Sequence, residues 1–582
     1  MIFKYLRRID WLLLIVTVVL VYFQVMLELE IPGYMSKITT IMTTGGTTQD
    51  VLDEGVLMLM CAFGSLVTAI IAGIISAYIG TNLGKTLREK QFEQVEKYSE
   101  EEINKFSIYS LITRSTNDVV QVQNAFIIGL MIFIRAPMMA VMALMKISTK
   151  NVEWTTATVI AVIIVVMCIM IIMWYTFSRF KKIQWLNDDV NRVTKESLSG
   201  LRVVHAYNAE KFQEGRFKEA NKKLTDTHLE ITRALAFMPA TMTAVMSILS
   251  LAIYWIGAII IDSSSGPERL EEFSDMIVFS SYAIQVIMSF MILIVVFMIL
   301  PRASVASKRI QEVINTEPSI IDGPVASTEG GAEGEVEFRN VSFTYPGGSD
   351  YTLRDISFKI GKGETLAIIG STGSGKSTLV KLILRLYDAT EGDVLVDGIN
   401  VKEYNLDLLH RKVGYVPQKP LMFNDTISAN INYGDMEEQR NINDIQLSAD
   451  IAQASEFIGR TEKGYDTMVT EGGTNLSGGQ KQRVSIARAV CRRPEFYIFD
   501  DSFSALDYKT DRELRSRLRK ETKDITTIIV AQRIGTIIDA DRILVLDDGK
   551  VAGIGRHEEL LKECQVYRQI ALSQLSEEEL VR

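Results

Sequence analysis

At 582 residues the chain is too long for one hydrophobic core, so more than one domain is expected. Hydrophobic residues make up 47%, charged residues 23%, and mean hydropathy is +0.15, as when an apolar region and a soluble region are averaged together. A formal net charge of −9 argues against a nucleic-acid binder, and the four cysteines, at 61, 168, 491 and 564, form no C-x-x-C pair and read as buried thiols rather than a disulfide frame or metal site.

Six apolar stretches come first: 11–27, 56–79, 126–147, 154–175, 235–261 and 276–300. A helix crosses a bilayer with about 20 residues. Six such runs in the first 300 residues are hard to bury in a soluble protein and read as membrane spans. Lys4, Arg7 and Arg8 precede the first span, and the loops 81–125 and 177–234 carry Lys85, Arg88, Lys90, Arg114, Arg179, Lys181 and Lys182. The excess of Lys and Arg places these loops and the N-terminus in the cytoplasm, with Lys146 and Lys150 against the trend. No small-residue cleavage pattern follows the first span, which is expected to be an uncleaved anchor. The two cytoplasmic loops are long, helically patterned and poor in breakers, so the spans are expected to continue into the cytoplasm as helices.

Polar residues within spans are functional candidates. Arg135 is the sharpest, either paired in the interior or touching substrate, and Gln24 and Gln285 are milder. Met238, Met242, Met246, Met288, Met291 and Met298 gather in the last two spans, as a pliable apolar cavity or as plain packing.

After Pro301 a charged helical stretch leads to the Gly-rich "DGPVASTEGGAEGE", and strands and helices then alternate. The expected division is a membrane domain 1–315, a linker 316–335 and a nucleotide-binding domain 336–582. "GSTGSGKS", comprising Gly370, Ser371, Thr372, Gly373, Ser374, Gly375, Lys376 and Ser377, fits G-x-x-x-x-G-K-S; it follows the strand-like "TLAII", and Thr378 opens an apolar helical pattern. In such a loop backbone N–H groups cradle phosphate, Lys376 reaches the β- and γ-phosphates and Ser377 holds Mg²⁺. "FYIFD" supplies a buried strand ending in Asp500, a carboxylate able to hold the same ion. ATP and Mg²⁺ are therefore the expected ligands.

"LSGGQ", comprising Leu476, Ser477, Gly478, Gly479 and Gln480, lies just ahead of that strand, and with it the chain resembles the ATP-binding cassette (ABC) family along its whole length. It is similar to a half-transporter of the exporter type, in which two chains make one machine. The resemblance implies six membrane helices with long cytoplasmic extensions and an α/β P-loop domain with an antiparallel subdomain. It implies that Tyr345 stacks on adenine, that Gln418 senses Mg²⁺ and the membrane domain, and that Ser504, Ala505, Leu506 and Asp507 cross the dimer interface. "TEGG" matches the segment that meets the partner's loops. "TRSTNDVVQVQ" and "LSGLRVVHAYNAE" resemble the exporter loops, with short coupling helices expected near 106–112 and 203–208. His205, His228, His410 and His557 match no catalytic position.

Two positions depart from the family pattern. Asp501 stands where a catalytic Glu is usual, and Gln532 where a His is usual. Aspartate is one methylene short for a base that must reach water at about 2.6–3.2 Å, and Gln carries no positive charge. Each nucleotide in this family is sandwiched between one chain's P-loop and the other's signature. The resemblance is thus to the degenerate-site subunit of bacterial heterodimeric multidrug exporters. The partner is expected to be a second half-transporter with intact Glu and His, and the cargo lipophilic small molecules or membrane lipid, moved across a plasma membrane. Two alternatives stand beside this: a homodimeric lipid or peptide exporter with slow ATPase, and an ATP-gated regulatory or sensing protein.

Overall fold

The computed structural model describes residues 2–148, 152–264, 268–327, 334–434 and 440–575. Lys150 and the middle of the Gly-rich linker, 328–333, lie outside the described residues, as do the side chains of Lys181 and Met298. The chain divides into two compact units, one of Met1–Glu96 with Ile108–Thr316 and one of Lys97–Ser107 with Glu317–Arg582.

The first unit is helical. Helix α1 spans Arg8–Thr43 and α2 Thr48–Val95; after α3 (Glu100–Phe106), which belongs to the second unit, come α4 (Ile108–Thr113), α5 (Val119–Ser148), α6 (Val152–Ser199), α7 (Leu201–Ala206), α8 (Glu210–Ser263) and α9 (Glu268–Asn315). Among the described residues, six helical segments are long and apolar enough to cross a membrane. With 48 residues each, α2, α6 and α9 reach roughly 70 Å at 1.5 Å per residue, far beyond a hydrocarbon core of about 30 Å. The spans thus run on as rods, as the sparse breakers in the cytoplasmic loops predict.

The expected coupling helix near 106–112 straddles a break. Ser107 has a φ of 61°, which ends α3 and starts α4. The signal for the earlier start is Ser99, whose hydroxyl caps α3 while Glu102 returns a bond to the Ser99 N–H at 2.9 Å. The second expected segment, 203–208, overlaps α7, which closes before Asn208 at a φ of 50°.

Charges in the spans are paired. Arg135 Nη2 donates to both Glu28 oxygens at 2.9 Å, with 39% and 29% of the two side chains exposed. Lys146 meets Glu30 at 2.7 Å, and the Tyr282 hydroxyl donates to the Leu29 carbonyl at 2.9 Å. A cation and its carboxylate travelling together explain why Arg135 and Lys146 are tolerated there. Met238 and Met242 are buried among Trp154, Ile253 and Phe279, with Met246 and Met291 packed on that cluster, while Met288 is exposed. Packing therefore accounts for four of the clustered methionines. Gln24 is buried, and Gln285 has a buried oxygen without a partner.

In the second unit, one antiparallel sheet has the order β2–β1–β4–β5 and a larger sheet the order β10–β9–β3–β8–β7–β6. Their strands are β1 (Val336–Phe343), β2 (Leu353–Ile360), β3 (Thr365–Gly370), β4 (Glu391–Val396), β5 (Ile399–Asn400), β6 (Val413–Val416), β7 (Phe496–Asp500), β8 (Thr526–Val530), β9 (Arg542–Asp547) and β10 (Lys550–Gly555). Strands β9, β3, β8, β7 and β6 are mutually parallel, and β10 closes the edge antiparallel. Strand β7, wholly buried, reads as the continuous apolar run of a sheet covered on both faces. The fold is a helical membrane domain joined to an α/β P-loop domain with an antiparallel subdomain. Two of the four cysteines, Cys491 and Cys564, are buried, whereas Cys61 and Cys168 are only half-buried, because their apolar runs face outward from the helix packing.

One buried ionic group in the cassette was not visible in the sequence. Lys412, 6% exposed, meets Asp397 at 2.9 Å and Glu495 at 2.6 Å, and Asp397 is 2% exposed. Without Asp397, Lys412 keeps only the more exposed Glu495 as its counter-charge, and the buried pair is broken. Asp397→Ala is expected to lower cassette stability by about 3 kcal/mol, read as a fall in the melting transition, with Lys412→Met in the same background recovering part of the loss.

Candidate nucleotide-binding site

The parallel sheet gathers the site. In such sheets ligands sit beyond the carboxyl ends of the strands. Here β3 ends at Gly370, β7 at Asp500, and β6 and β8 run out two residues before Gln418 and Gln532. Because β3, β8, β7 and β6 are successive neighbours, these four ends lie side by side.

After β3 the chain turns through Gly373 (φ 84°) and Gly375 (φ 97°) into α10 (Lys376–Ile383). A left-handed backbone favours glycine at both positions. A Cβ on Gly370 would sit 2.2 Å from the Leu546 carbonyl, and one on Gly375 2.6 Å from Leu353 Cδ2, so two of the loop's glycines are also sterically required. Lys376 Nζ donates to the carbonyls of Gly370 at 2.8 Å and Ser371 at 2.7 Å, folded back over the loop. Burial lowers the pKa of Lys376, against the pull of Asp501 and Asp500. The buried Ser374 hydroxyl has no partner. Thr372 is exposed at the loop's outer edge. A glycine cradle, a half-buried cation and an orphaned hydroxyl at a helix start fit a phosphate chain.

Ser377 Oγ donates to Asp500 Oδ1 at 3.1 Å. Burial raises the Asp500 carboxyl above the ordinary range; Ser377 opposes this, Asp501 adds to it, and Lys381 and Lys376 oppose it. A hydroxyl and a carboxylate in contact at the cradle's mouth are the oxygen donors a Mg²⁺ ion would take. The ion needs Asp500 ionised, and protons compete for the same oxygen. Mg²⁺-dependent nucleotide binding is therefore expected to weaken on acidification at a higher pH than an exposed aspartate would set, and Asp500→Asn to remove that pH step; titration of ATP binding with and without Mg²⁺ reads both.

Asp501 follows at a φ of 48°, its N–H bonded to the Val530 carbonyl at 2.9 Å. One oxygen, Oδ2, accepts from Gln418 Nε2 at 3.1 Å and from Gln532 Nε2 at 2.8 Å. The two departures from the family pattern are thus in direct contact, with Gln418 as a third member. Ser504 Oγ donates to the Asp501 carbonyl at 2.9 Å, and Arg533 to the Ser504 carbonyl at 3.3 Å. Ala505 is exposed and Leu506 buried; Asp507 accepts from the Thr510 N–H at 3.0 Å, which lowers its pKa and caps the next helix.

The Tyr345 hydroxyl shares a hydrogen bond with Thr378 Oγ1 at 3.0 Å, which sets its ring beside α10. The ring packs edge-on against Phe343 and Tyr387.

The signature begins the helix Gly478–Cys491. Ser477 caps it: its backbone N–H donates to Gln480 Oε1 at 2.8 Å and the Gln480 N–H donates back to Ser477 Oγ at 3.3 Å. Leu476 is half-buried, while Ser477 and Gly478 are exposed and Gly479 partly so, leaving an open helix N-terminus of the kind that attracts anions. Just ahead, "TEGG" forms a tight turn with Gly472 and Gly473 at φ 65° and 66°, pinned by Lys481 on the Gly472 carbonyl. His410 bonds the Leu384 carbonyl and His557 the Tyr567 hydroxyl, both within the cassette's packing.

Residues 353–504 match the family described as ABC transporter, and 14–290 that described as ABC transporter transmembrane region. An uncharacterized ABC transporter ATP-binding protein of Mycobacterium tuberculosis is 36% identical over 94% of this chain and 93% of its own length. The chain belongs to the ABC transporter family. Another relative of this transporter, the uncharacterized ABC transporter ATP-binding protein YfiB of Bacillus subtilis, is 34% identical over 88% of this chain and 89% of its own. An ATP-dependent lipid A-core flippase of Pseudomonas fluorescens is 35% identical over 67% of this chain and 63% of its own. Among solved structures, a bacterial Atm1-family ABC exporter with ATP bound superposes with a TM-score of 0.80 at 26% identity, covering 98% of this chain and 99% of that one. The transporter is therefore a multi-pass membrane protein with a cytoplasmic ATP-binding cassette, an ABC exporter that couples ATP hydrolysis to transport.

Proposed function

We propose that this ABC exporter is one subunit of a heterodimer, and that its own P-loop site binds ATP but hydrolyses it slowly. The observation that carries the reading is the state of Asp501. At the position of the catalytic base stands a carboxylate one methylene short, with Oδ2 already accepting from two amides, Gln418 and Gln532. Two amides already occupy the oxygen that would take the attacking water's proton, and Gln532 stands where a histidine is usual. The binding machinery is intact: Tyr345 for the base, 370–378 for the phosphates, and Ser377, Asp500 and Gln418 around Mg²⁺. Leu476, Ser477, Gly478, Gly479 and Gln480 serve the partner's ATP, and Ser504, Ala505, Leu506 and Asp507 line the shared interface. Domain limits of 1–315, 316–335 and 336–582 go with this assignment.

ATP binding closes the paired cassettes and turns the cavity outward, and hydrolysis at the partner's site resets it. The cargo is lipophilic, drug-like or lipid, taken by alternating access. Mixing this chain with its partner and trapping nucleotide in a single turnover tests the reading: product is expected at the partner's P-loop and unhydrolysed ATP at this one. A second reading, a homodimeric lipid exporter with slow ATPase, is favoured by the likeness to lipid A-core flippases. It predicts lipid-stimulated turnover from this chain alone.

A further inference from the structure

We propose that Lys381 links the base of the bound nucleotide to the helix α3 of the first cytoplasmic loop, its ammonium lying between the ring of Tyr345 and the carboxylate of Glu100, so that base occupancy tightens the hold on α3. This rests on the reading of Tyr345 as the base platform and adds a residue to it that touches neither base nor phosphate.

Residues Lys97–Ser107 belong to the cassette's compact unit although they interrupt the membrane domain in sequence. Side-chain bonds to the rest of the cassette unit hold them. Lys381 Nζ donates to Glu100 Oε1 at 2.6 Å and Asn104 donates to the Tyr387 hydroxyl at 3.4 Å; Ser99 and Ser319 share a hydroxyl bond at 2.8 Å, and the Ser319 N–H donates to Glu102 at 3.0 Å. Two of the cassette partners, Lys381 and Tyr387, also reach the Tyr345 ring, and Lys381 brings a charge to it. Its ammonium lies 6.0 Å from that ring's centre and 5.6 Å from that of Tyr387, and the two rings meet edge-on at 5.2 Å.

Lys381 is carried on α10, the helix that starts at the P-loop, so phosphate, base and loop contacts share one rigid element. Glu100 holds the Lys381 ammonium protonated against the opposing effect of burial, and the positive charge in turn favours the ionised form of Asp500. A base stacked on Tyr345 excludes water from that neighbourhood. Attraction between two opposite charges grows as the local dielectric falls, as does the pull of a cation on an aromatic face. The Lys381–Glu100 pair then strengthens, and by reciprocity a docked α3 raises affinity for the base. A plain surface ion pair would hold α3 equally with or without a base.

The test measures hydrogen exchange of 98–106 in the full-length chain in lipid nanodiscs, with Mg²⁺-ATP, with Mg²⁺-tripolyphosphate and without ligand. ATP is expected to slow exchange about threefold more than tripolyphosphate, on the scale of one partly exposed charge pair. Glu100→Gln and Lys381→Met should erase that difference while tripolyphosphate still binds, and Lys381→Arg, which keeps the cation, should retain it. Equal protection by ATP and tripolyphosphate in the unaltered chain overturns the link, as does a difference that survives Glu100→Gln or vanishes equally in Lys381→Arg. Tyr345→Ala separates the two claims: if it leaves the preference for ATP over tripolyphosphate unchanged, the base-platform reading falls and takes the link with it.

Discussion

Replacing Asp501 with Glu and Gln532 with His together is expected to raise ATP turnover at this chain's P-loop site by about 100-fold. The added methylene advances the carboxylate by roughly 1.5 Å, and misplacement of about 1 Å accounts for a loss of that order. The exchange at 532 also removes one of the two amides, of Gln418 and Gln532, that now meet at Asp501 Oδ2 at 3.1 and 2.8 Å. His at 532 adds a donor that can carry charge toward the γ-phosphate. Asp501→Glu alone should give a smaller gain, because Gln532 would still engage the longer carboxylate. The control is Asp501→Asn in the unaltered chain. If Asp501 is a poor base, turnover at this site changes less than threefold; a drop as large as the loss of a general base, 10²-fold or more, would mark Asp501 as the working base.

The second large effect belongs to the signature. Gly478→Asp in this chain is expected to cut hydrolysis by the assembled pair about 100-fold, whereas Lys376→Ala, which strikes this chain's own phosphate site, should leave most of the turnover. The position is chosen for its steric freedom. A Cβ on Gly478 meets nothing within 4 Å, while one on Gly479 would press the Ala505 carbonyl at 3.2 Å. Gly478→Asp therefore places a negative charge at an exposed helix N-terminus without disturbing the fold, and its effect reads the phosphate contact alone. A phosphate-release assay on the pair, with each substitution in turn, gives the comparison.

Much of this was legible because it is contiguous. The P-loop is eight consecutive residues between a strand and a helix, Asp500 ends an unbroken apolar strand, and Ser477 with Gln480 forms its capping box within one turn. The spans were legible for the same reason, since each is one apolar run of about the length a bilayer requires or more. What sequence left dark is long-range. Asp501 meets donors 83 and 31 residues away, and Arg135 finds Glu28 across 107 residues, so the chain order names neither partner. The Lys412 group joins three separate strand ends and helix ends in the same way. The break between α3 and α4, within the expected 106–112, is a single residue's positive φ at Ser107, which no pattern of polarity reports. The clustered methionines were ambiguous since the thioether suits a cavity and a core alike, and only burial decides between them.

The measurement closest to the central claim is site-resolved nucleotide trapping in the assembled transporter, with each P-loop labelled separately after one turnover. The division of labour predicts intact ATP at the site built by Lys376, Asp501 and Gln532 and ADP at the partner's site. ADP at equal yield and equal rate in both sites would contradict it.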